Sequence, residues 1–169
     1  MMRSLLGCLA LLSIALVVAA SAAPRAATQR QVDFTGFASL TREVQAYRAG
    51  RLVNLARFQA MAREPRTIIL DARSADAYRQ GHIAGAINLP FTDFTAQSLA
   101  DAIPNPAIRI LIYCNNNFEN DAPPVVLKRV DLALNIQTFI NLYGYGYKNV
   151  YELGDIVNFN DPTVRWVRG

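Results

Sequence analysis

Residues 66–90 read RTIILDARSADAYRQGHIAGAINLP, a segment in which two apolar runs flank a more polar stretch. The opening RTIIL is short, apolar and β-branched, which is typical of a strand buried on both faces. Ser74 is a favourable N-cap and Gly81 favours a left-handed stop, so the pattern predicts a helix over 75–80. INL at 87–89 predicts a second strand and completes a strand–helix–strand unit.

The rest of the chain continues this alternation. Helical spacing of apolar residues predicts helices over 40–50, 54–62, 94–103 and 133–146, and apolar runs predict strands over 109–114 and 148–153. The alternation predicts an α/β fold with a mostly parallel central sheet that is flanked by helices on both faces. Ligands of such sheets bind beyond the carboxyl ends of the strands, and Cys114 lies at one of these ends.

The N-terminus predicts export. Arg3 precedes an apolar stretch from Leu5 to Ala20, followed by small residues, which is the pattern of a secretory signal peptide. The apolar stretch is shorter than the roughly 20 residues of a membrane span, so we expect cleavage near Ala22. The expected organisation is a signal peptide over 1–22, an N-terminal leader and helix over 23–49, and one domain over 50–169. The mature protein is then periplasmic or secreted, without stable membrane association.

Composition narrows the classes of function. The formal net charge is +4 and the basic residues are scattered, which argues against nucleic-acid binding. Cleavage leaves Cys114 as the only cysteine, so an intramolecular disulfide is excluded and a reactive thiol is favoured. The alternative is a buried, inert cysteine. His82 is the only histidine, and we expect neither a metal site nor a cofactor.

Two blocks of sequence closely resemble rhodanese-homology domains. Asp71-Ala72-Arg73, followed by GHIAGAINLP at 81–90, resembles the D-x-R…G-H-I-x-G-A-x-N-x-P signature of that family. GYKNVYEL at 146–153 is similar to its G-[YF]-x-N-V-x-x-L segment. The resemblance covers about residues 50–157 and implies a single rhodanese-like domain. Within the family, Asp71, Arg73 and His82 are expected to be structural.

The resemblance also implies a chemistry. The family's cysteine ends a central strand between the two blocks, which is the position of Cys114. Its thiolate takes sulfane sulfur from a thiosulfate- or polysulfide-like donor, becomes a persulfide, and passes the sulfur to a thiol or another nucleophile, which can belong to a protein. The expected active-site loop comprises Asn115, Asn116, Asn117, Phe118, Glu119 and Asn120.

This loop departs from the family pattern. Glu119 stands where the family often has an arginine, and about twenty residues separate Cys114 from a helix expected to start near Leu134. A nearby carboxylate is expected to raise the pKa of the thiol. The three asparagines tolerate left-handed backbone and are expected to turn their amides toward the sulfur as an anion nest. Lys128 and Arg129 are the candidates for replacing the missing cation.

Two other functions remain open at this point. A catalytically inactive rhodanese-homology module, acting in protein binding or regulation, agrees with Glu119 and the long loop. A cysteine-dependent phosphatase is disfavoured because it needs concentrated positive charge around the phosphate oxygens.

Overall fold

The computed structural model describes residues 31–119 and 125–168, so the predicted signal peptide and Asn120 lie outside the described residues. Its strands are β1 (Leu52–Val53), β2 (Thr67–Asp71), β3 (His82–Ile83), β4 (Ala86–Asn88), β5 (Arg109–Tyr113), β6 (Val150–Leu153) and β7 (Trp166–Val167). Its helices are α1 (Phe34–Ala49), α2 (Leu55–Ala62), α3 (Ala75–Gln80), α4 (Ala96–Ala102) and α5 (Leu134–Gly144). No helix among the described residues is long and apolar enough to cross a membrane.

The central sheet has five strands in the order β1-β6-β5-β2-β4. Every neighbouring pair in it is parallel. β5 therefore runs through the middle of the sheet, as its apolar sequence predicted. A separate antiparallel pair joins β3 to β7.

Alternate side chains of β5 enter two different hydrophobic cores. Ile110 and Ile112 pack on one face of the sheet with residues of α1, α4 and α5. Leu111 and Tyr113 pack on the opposite face with residues of α2. Because successive side chains of a strand point to opposite faces, helices must cover both sides of the sheet. The predicted α/β arrangement is confirmed.

Local capping explains where two of the predicted helices begin. The side chain of Asn54 accepts a hydrogen bond from the N–H of Arg57 and starts α2. The hydroxyl of Ser74 accepts one from the N–H of Ala77 and starts α3. Side-chain caps of this kind satisfy N–H groups that have no partner within the helix.

The structure shows that glycine is needed at position 81 for a different reason from the one predicted. Its φ of 163° and ψ of 147° are extended, so the left-handed stop predicted there is wrong. A Cβ atom at this position would instead collide with the indole of Trp166. Gly81 is therefore required by the close approach of β7 rather than by a positive φ.

Candidate active site around Cys114

β5 delivers Cys114 to the carboxyl edge of the sheet. The cysteine follows the strand directly, has an extended backbone, and precedes a 3₁₀ turn over Asn115–Asn117. Its thiol is free and the residue is only 1% exposed. The sulfur therefore lies at the position where parallel sheets bind ligands, but beneath the surface.

Three backbone N–H groups lower the pKa of this thiol. They belong to Asn116 in the 3₁₀ turn and to Leu134 and Asn135 in the first turn of α5. The N-cap of α5 is Ala133, which has no side chain able to satisfy these donors. Because first-turn N–H groups have no intrahelical acceptor and lie at the positive end of the helix dipole, they favour a negatively charged sulfur. The predicted helix start near Leu134 is confirmed.

The net effect of the surroundings is nevertheless a raised pKa for the Cys114 thiol. Burial is the largest cause, because it penalises the charged thiolate. The three N–H groups act in the opposite direction, and the carboxylate of Glu152 adds to the increase. Glu119 was expected to be the carboxylate near the thiol, but it is exposed, and its side chain accepts from Asn158 Nδ2 at 3.4 Å.

Asn117 fixes the turn from within. Its Oδ1 accepts from the N–H of Cys114 and from Nδ2 of Asn135, both at 2.9 Å. Its Nδ2 donates to the carbonyl oxygens of Leu153 at 2.7 Å and Asp155 at 3.1 Å. These four bonds use the full hydrogen-bonding capacity of a buried amide and tie the ends of β5 and β6 to the start of α5.

Asn115 and Asn116 form hydrogen bonds with the backbone of residues 126–128, in the second described part of the loop. Asn116 forms a reciprocal pair with the backbone of Lys128: its Nδ2 donates to the carbonyl at 2.6 Å and its Oδ1 accepts from the N–H at 3.1 Å. Asn115 Nδ2 donates to the carbonyl of Val126 at 3.1 Å. The three asparagines do not use the left-handed backbone that this residue type tolerates, since Arg66 and Arg165 are the non-glycine residues with positive φ in the part of the chain that the structure describes.

The residues expected to be structural form a buried network beside this loop. Arg73 donates through Nε and Nη2 to the carboxylate of Asp71, at 2.9 and 2.6 Å, and the hydroxyl of Tyr113 donates to the same carboxylate at 2.6 Å. Arg73 Nη1 also donates to Oδ1 of Asn115 at 3.1 Å. The His82 ring stacks on Tyr78, with 3.7 Å between the ring centroids. This network fixes the base of the loop rather than supplying a group to the sulfur.

The remaining predicted site residues lie at the periphery or in the core. Arg129 is exposed and pairs with Asp131 at 2.7 Å. Lys128 and Arg129 line a surface pocket of about 420 Å³ together with Leu134. Phe118 is buried and packs edge-on against Tyr113. Within residues 31–119 and 125–168, no three Cys, His, Asp or Glu side chains come together as a metal-binding group.

A family model described as the rhodanese-like domain matches residues 54–160, which is more than half of the chain. The chain belongs to this family. It is 24% identical over 96 residues to thiosulfate sulfurtransferase PspE of Escherichia coli (strain K12), in a match that covers 57% of this chain and 77% of that protein.

Two solved structures are also similar to this rhodanese-like chain. A rhodanese with anions from E. coli is 23% identical, with 61% of this chain and 99% of that chain covered and a TM-score of 0.41. Thiosulfate sulfurtransferase from Pseudomonas aeruginosa is 20% identical, with 79% of this chain and 23% of that chain covered and a TM-score of 0.47.

The sequence did not indicate the part-buried ion pair of this rhodanese-like domain whose carboxylate acts on Cys114. Arg48 donates to both carboxylate oxygens of Glu152, at 2.5 and 2.6 Å, and Asn135 Nδ2 donates to one of them at 3.2 Å. Glu152 could have been suspected, since it is the only charged residue in a strand that is otherwise apolar. Nothing in the sequence pointed to Arg48 as part of the site, because it lies on α1, before the residues matched to the family.

Proposed function

We propose that this protein is an exported sulfurtransferase that carries sulfane sulfur as a persulfide on Cys114. The observation that carries the proposal is the position of Cys114 at the end of β5, where backbone N–H groups of the following turn and of the first turn of α5 lower the pKa of its thiol. Such donors stabilise an anionic sulfur without a side-chain cation. Membership of the rhodanese-like family and the name of the E. coli relative support the same chemistry.

The reaction needs two displacements at sulfur. The Cys114 thiol first loses its proton, and the thiolate attacks the outer sulfur of a thiosulfate-like donor. The S–S bond of the donor breaks, sulfite leaves with the electron pair, and a persulfide remains on the protein. A thiolate acceptor then attacks the terminal sulfur and the Cys114 thiolate leaves, so the protein undergoes no net oxidation. The chemistry needs no cofactor.

The approach of the donor is constrained by burial. Leu134, whose N–H lowers the pKa of the thiol, lines two surface pockets of about 420 and 350 Å³. Lys128 and Arg129 border the larger one and supply positive charge for an anionic donor. We place donor binding at this turn of α5. Arg129→Ala tests the assignment: unchanged sulfur-loading kinetics would contradict a role for this arginine.

Intact-mass measurement tests the proposed chemistry. After treatment with thiosulfate or polysulfide, the mature protein should gain the mass of one sulfur atom, and a thiol reductant should remove it. Cys114→Ser is the matched control and should gain nothing. The proposal fails if neither donor loads sulfur onto the wild-type protein.

Export forms part of this proposal and rests on the pattern of residues 1–22. The mass of the protein recovered from the periplasmic or secreted fraction should correspond to cleavage near Ala22. Recovery of the uncleaved chain from the membrane fraction would contradict both cleavage and release.

A second candidate is an inactive rhodanese-like module that binds a protein. The observation that favours it is the burial of Cys114, which raises the pKa of the thiol. The rate of alkylation against pH distinguishes the two functions when it is measured beside sulfur loading. A thiol pKa above the usual value of about 8.5, together with no sulfur loading, supports the binding module.

A further inference from the structure

Glu152 places a carboxylate inside the protein next to the candidate nucleophile. The residue is 5% exposed, lies on β6 and acts electrostatically on Cys114. A buried carboxylate needs both a counter-charge and hydrogen bonds. Arg48 supplies two of these bonds from α1 and Asn135 supplies the third from α5. Three separate elements therefore meet at this one side chain.

A continuous series of hydrogen bonds links this ion pair to the cysteine. Asn135 Nδ2 bridges Oε1 of Glu152, at 3.2 Å, and Oδ1 of Asn117, at 2.9 Å. Asn117 Oδ1 in turn accepts from the N–H of Cys114. The backbone N–H of Asn135 also lowers the pKa of the Cys114 thiol. Displacement of Glu152 would therefore disturb both the turn that carries the cysteine and one of its three donors.

We propose that Arg48 is a positioning residue for Cys114: by neutralising and orienting Glu152, it allows α5 to present its N–H groups to an anionic sulfur. The inference rests on the proposed function, because it matters for catalysis only if Cys114 reacts. Arg48 thus acts on the site from α1, through Glu152, whereas Arg129 in the described part of the loop pairs with Asp131.

Lys128 is exposed and lines a surface pocket together with Leu134. Four other charged groups near the described part of the loop have partners of their own. They are Arg73, which binds Asp71; Asp155, which accepts from the N–H of Leu55; Glu119, which accepts from Asn158; and Arg129, which pairs with Asp131. Among the described residues, Glu152 acts electrostatically to raise the pKa of the Cys114 thiol, and Arg48 interacts electrostatically with both groups.

The test is the midpoint of the pH profile for alkylation of Cys114 by iodoacetamide in the folded protein. The variants are Arg48→Met, Glu152→Gln and the double substitution. Arg42→Met is the matched control, because Arg42 is an exposed arginine on the same helix. Circular dichroism establishes that each variant is folded before alkylation.

Arg48→Met should raise the midpoint by about one pH unit, since Glu152 then acts on the thiolate without its counter-charge. Alkylation below the midpoint should be about tenfold slower. Glu152→Gln should lower the midpoint, and the double variant should return it to the wild-type value or below. Arg42→Met should leave it unchanged.

An Arg48→Met midpoint equal to that of wild type and Arg42→Met would overturn the inference. A lower midpoint for Arg48→Met would also overturn the inference, because it would show that the substitution loosens the packing around Cys114 and exposes the thiol to water. If Arg48→Met does not fold, Glu152→Gln decides, and an unchanged midpoint contradicts the proposal.

Alkylation does not require sulfur transfer. Failure of the wild-type protein to load sulfur, with the midpoints shifted as expected, would refute the proposed function and leave the role of Arg48 standing. Sulfur loading of the wild-type protein with unshifted alkylation midpoints would support the proposed function and refute the role of Arg48.

Discussion

Replacing Asn117 by alanine is expected to destabilise the fold more than any other substitution in the asparagine run. Asn117 is 7% exposed and makes four hydrogen bonds. Its removal leaves the N–H of Cys114 without its acceptor and takes a donor from the carbonyls of Leu153 and Asp155. A buried polar group left without a partner costs about 1–3 kcal/mol. Allowing for relaxation and for non-additive effects, we expect a loss of about 3 kcal/mol in the free energy of unfolding.

Asn116→Ala provides the comparison, since it removes the same side chain from the neighbouring position. Both of its hydrogen bonds go to the backbone of Lys128 at the exposed surface. Water can replace them, so the expected loss is about 0.5 kcal/mol. Equilibrium unfolding in urea, followed by circular dichroism, measures both values. If Asn117→Ala loses no more stability than Asn116→Ala, the central role assigned to the buried amide is refuted.

Three further predictions concern pH, packing and the buried network. Because the pKa of Cys114 is raised in the folded state, the folded protein holds this proton more tightly, and stability should fall as pH rises above about 9. Cys114→Ala should make that fall shallower in urea titrations at several pH values, and an identical slope would contradict the raised pKa. Gly81→Ala should lower the melting temperature, with a loss of about 2 kcal/mol from the clash with the indole. Gly50→Ala, where a Cβ meets nothing within 4 Å, should change little, and equal effects would contradict the steric argument. Tyr113→Phe should cost about 2 kcal/mol in urea unfolding, because Asp71 loses a 2.6 Å hydrogen bond, and a neutral result would show that the network tolerates its absence.

The sequence predicted the parts of the fold that rest on local pattern. The apolar run of β5, the N-caps of α2 and α3, and the start of α5 near Leu134 are all observed. β1 and the β3–β7 pair were not predicted, since two-residue strands show no periodicity. α1 begins at Phe34, whereas the predicted helix begins at residue 40. The prediction missed the first turns because Phe34 and Phe37 stay exposed and form no apolar face with the rest of the helix.

The position of the candidate nucleophile was predictable, but its electrostatic surroundings were not. Cys114 is placed by the end of one strand, which is a local feature. The carboxylate that acts on it comes from β6, 38 positions later by residue number, and is paired with a residue of α1. Glu119 was expected to play that part because it is close in sequence. Proximity in sequence says little about charge at a site where parallel strands bring distant segments together.

Burial and the N–H donors have opposite effects on the sulfur, and this opposition bears on what the site is for. A neutral thiol is a weak hydrogen-bond acceptor, so three N–H groups directed at it would gain little. The same three groups stabilise a thiolate or a persulfide anion, because hydrogen bonds to a charged acceptor are about twice as strong. An inert core cysteine has no need of this arrangement, and a polar N-cap at position 133 would satisfy the first turn of α5 equally well. Ala133 leaves these donors to the sulfur. The N–H donors therefore support the proposed chemistry of an anionic sulfur, while burial, which is the largest effect on the pKa of the thiol, favours an inert cysteine, and the midpoint of alkylation measures the balance between the two.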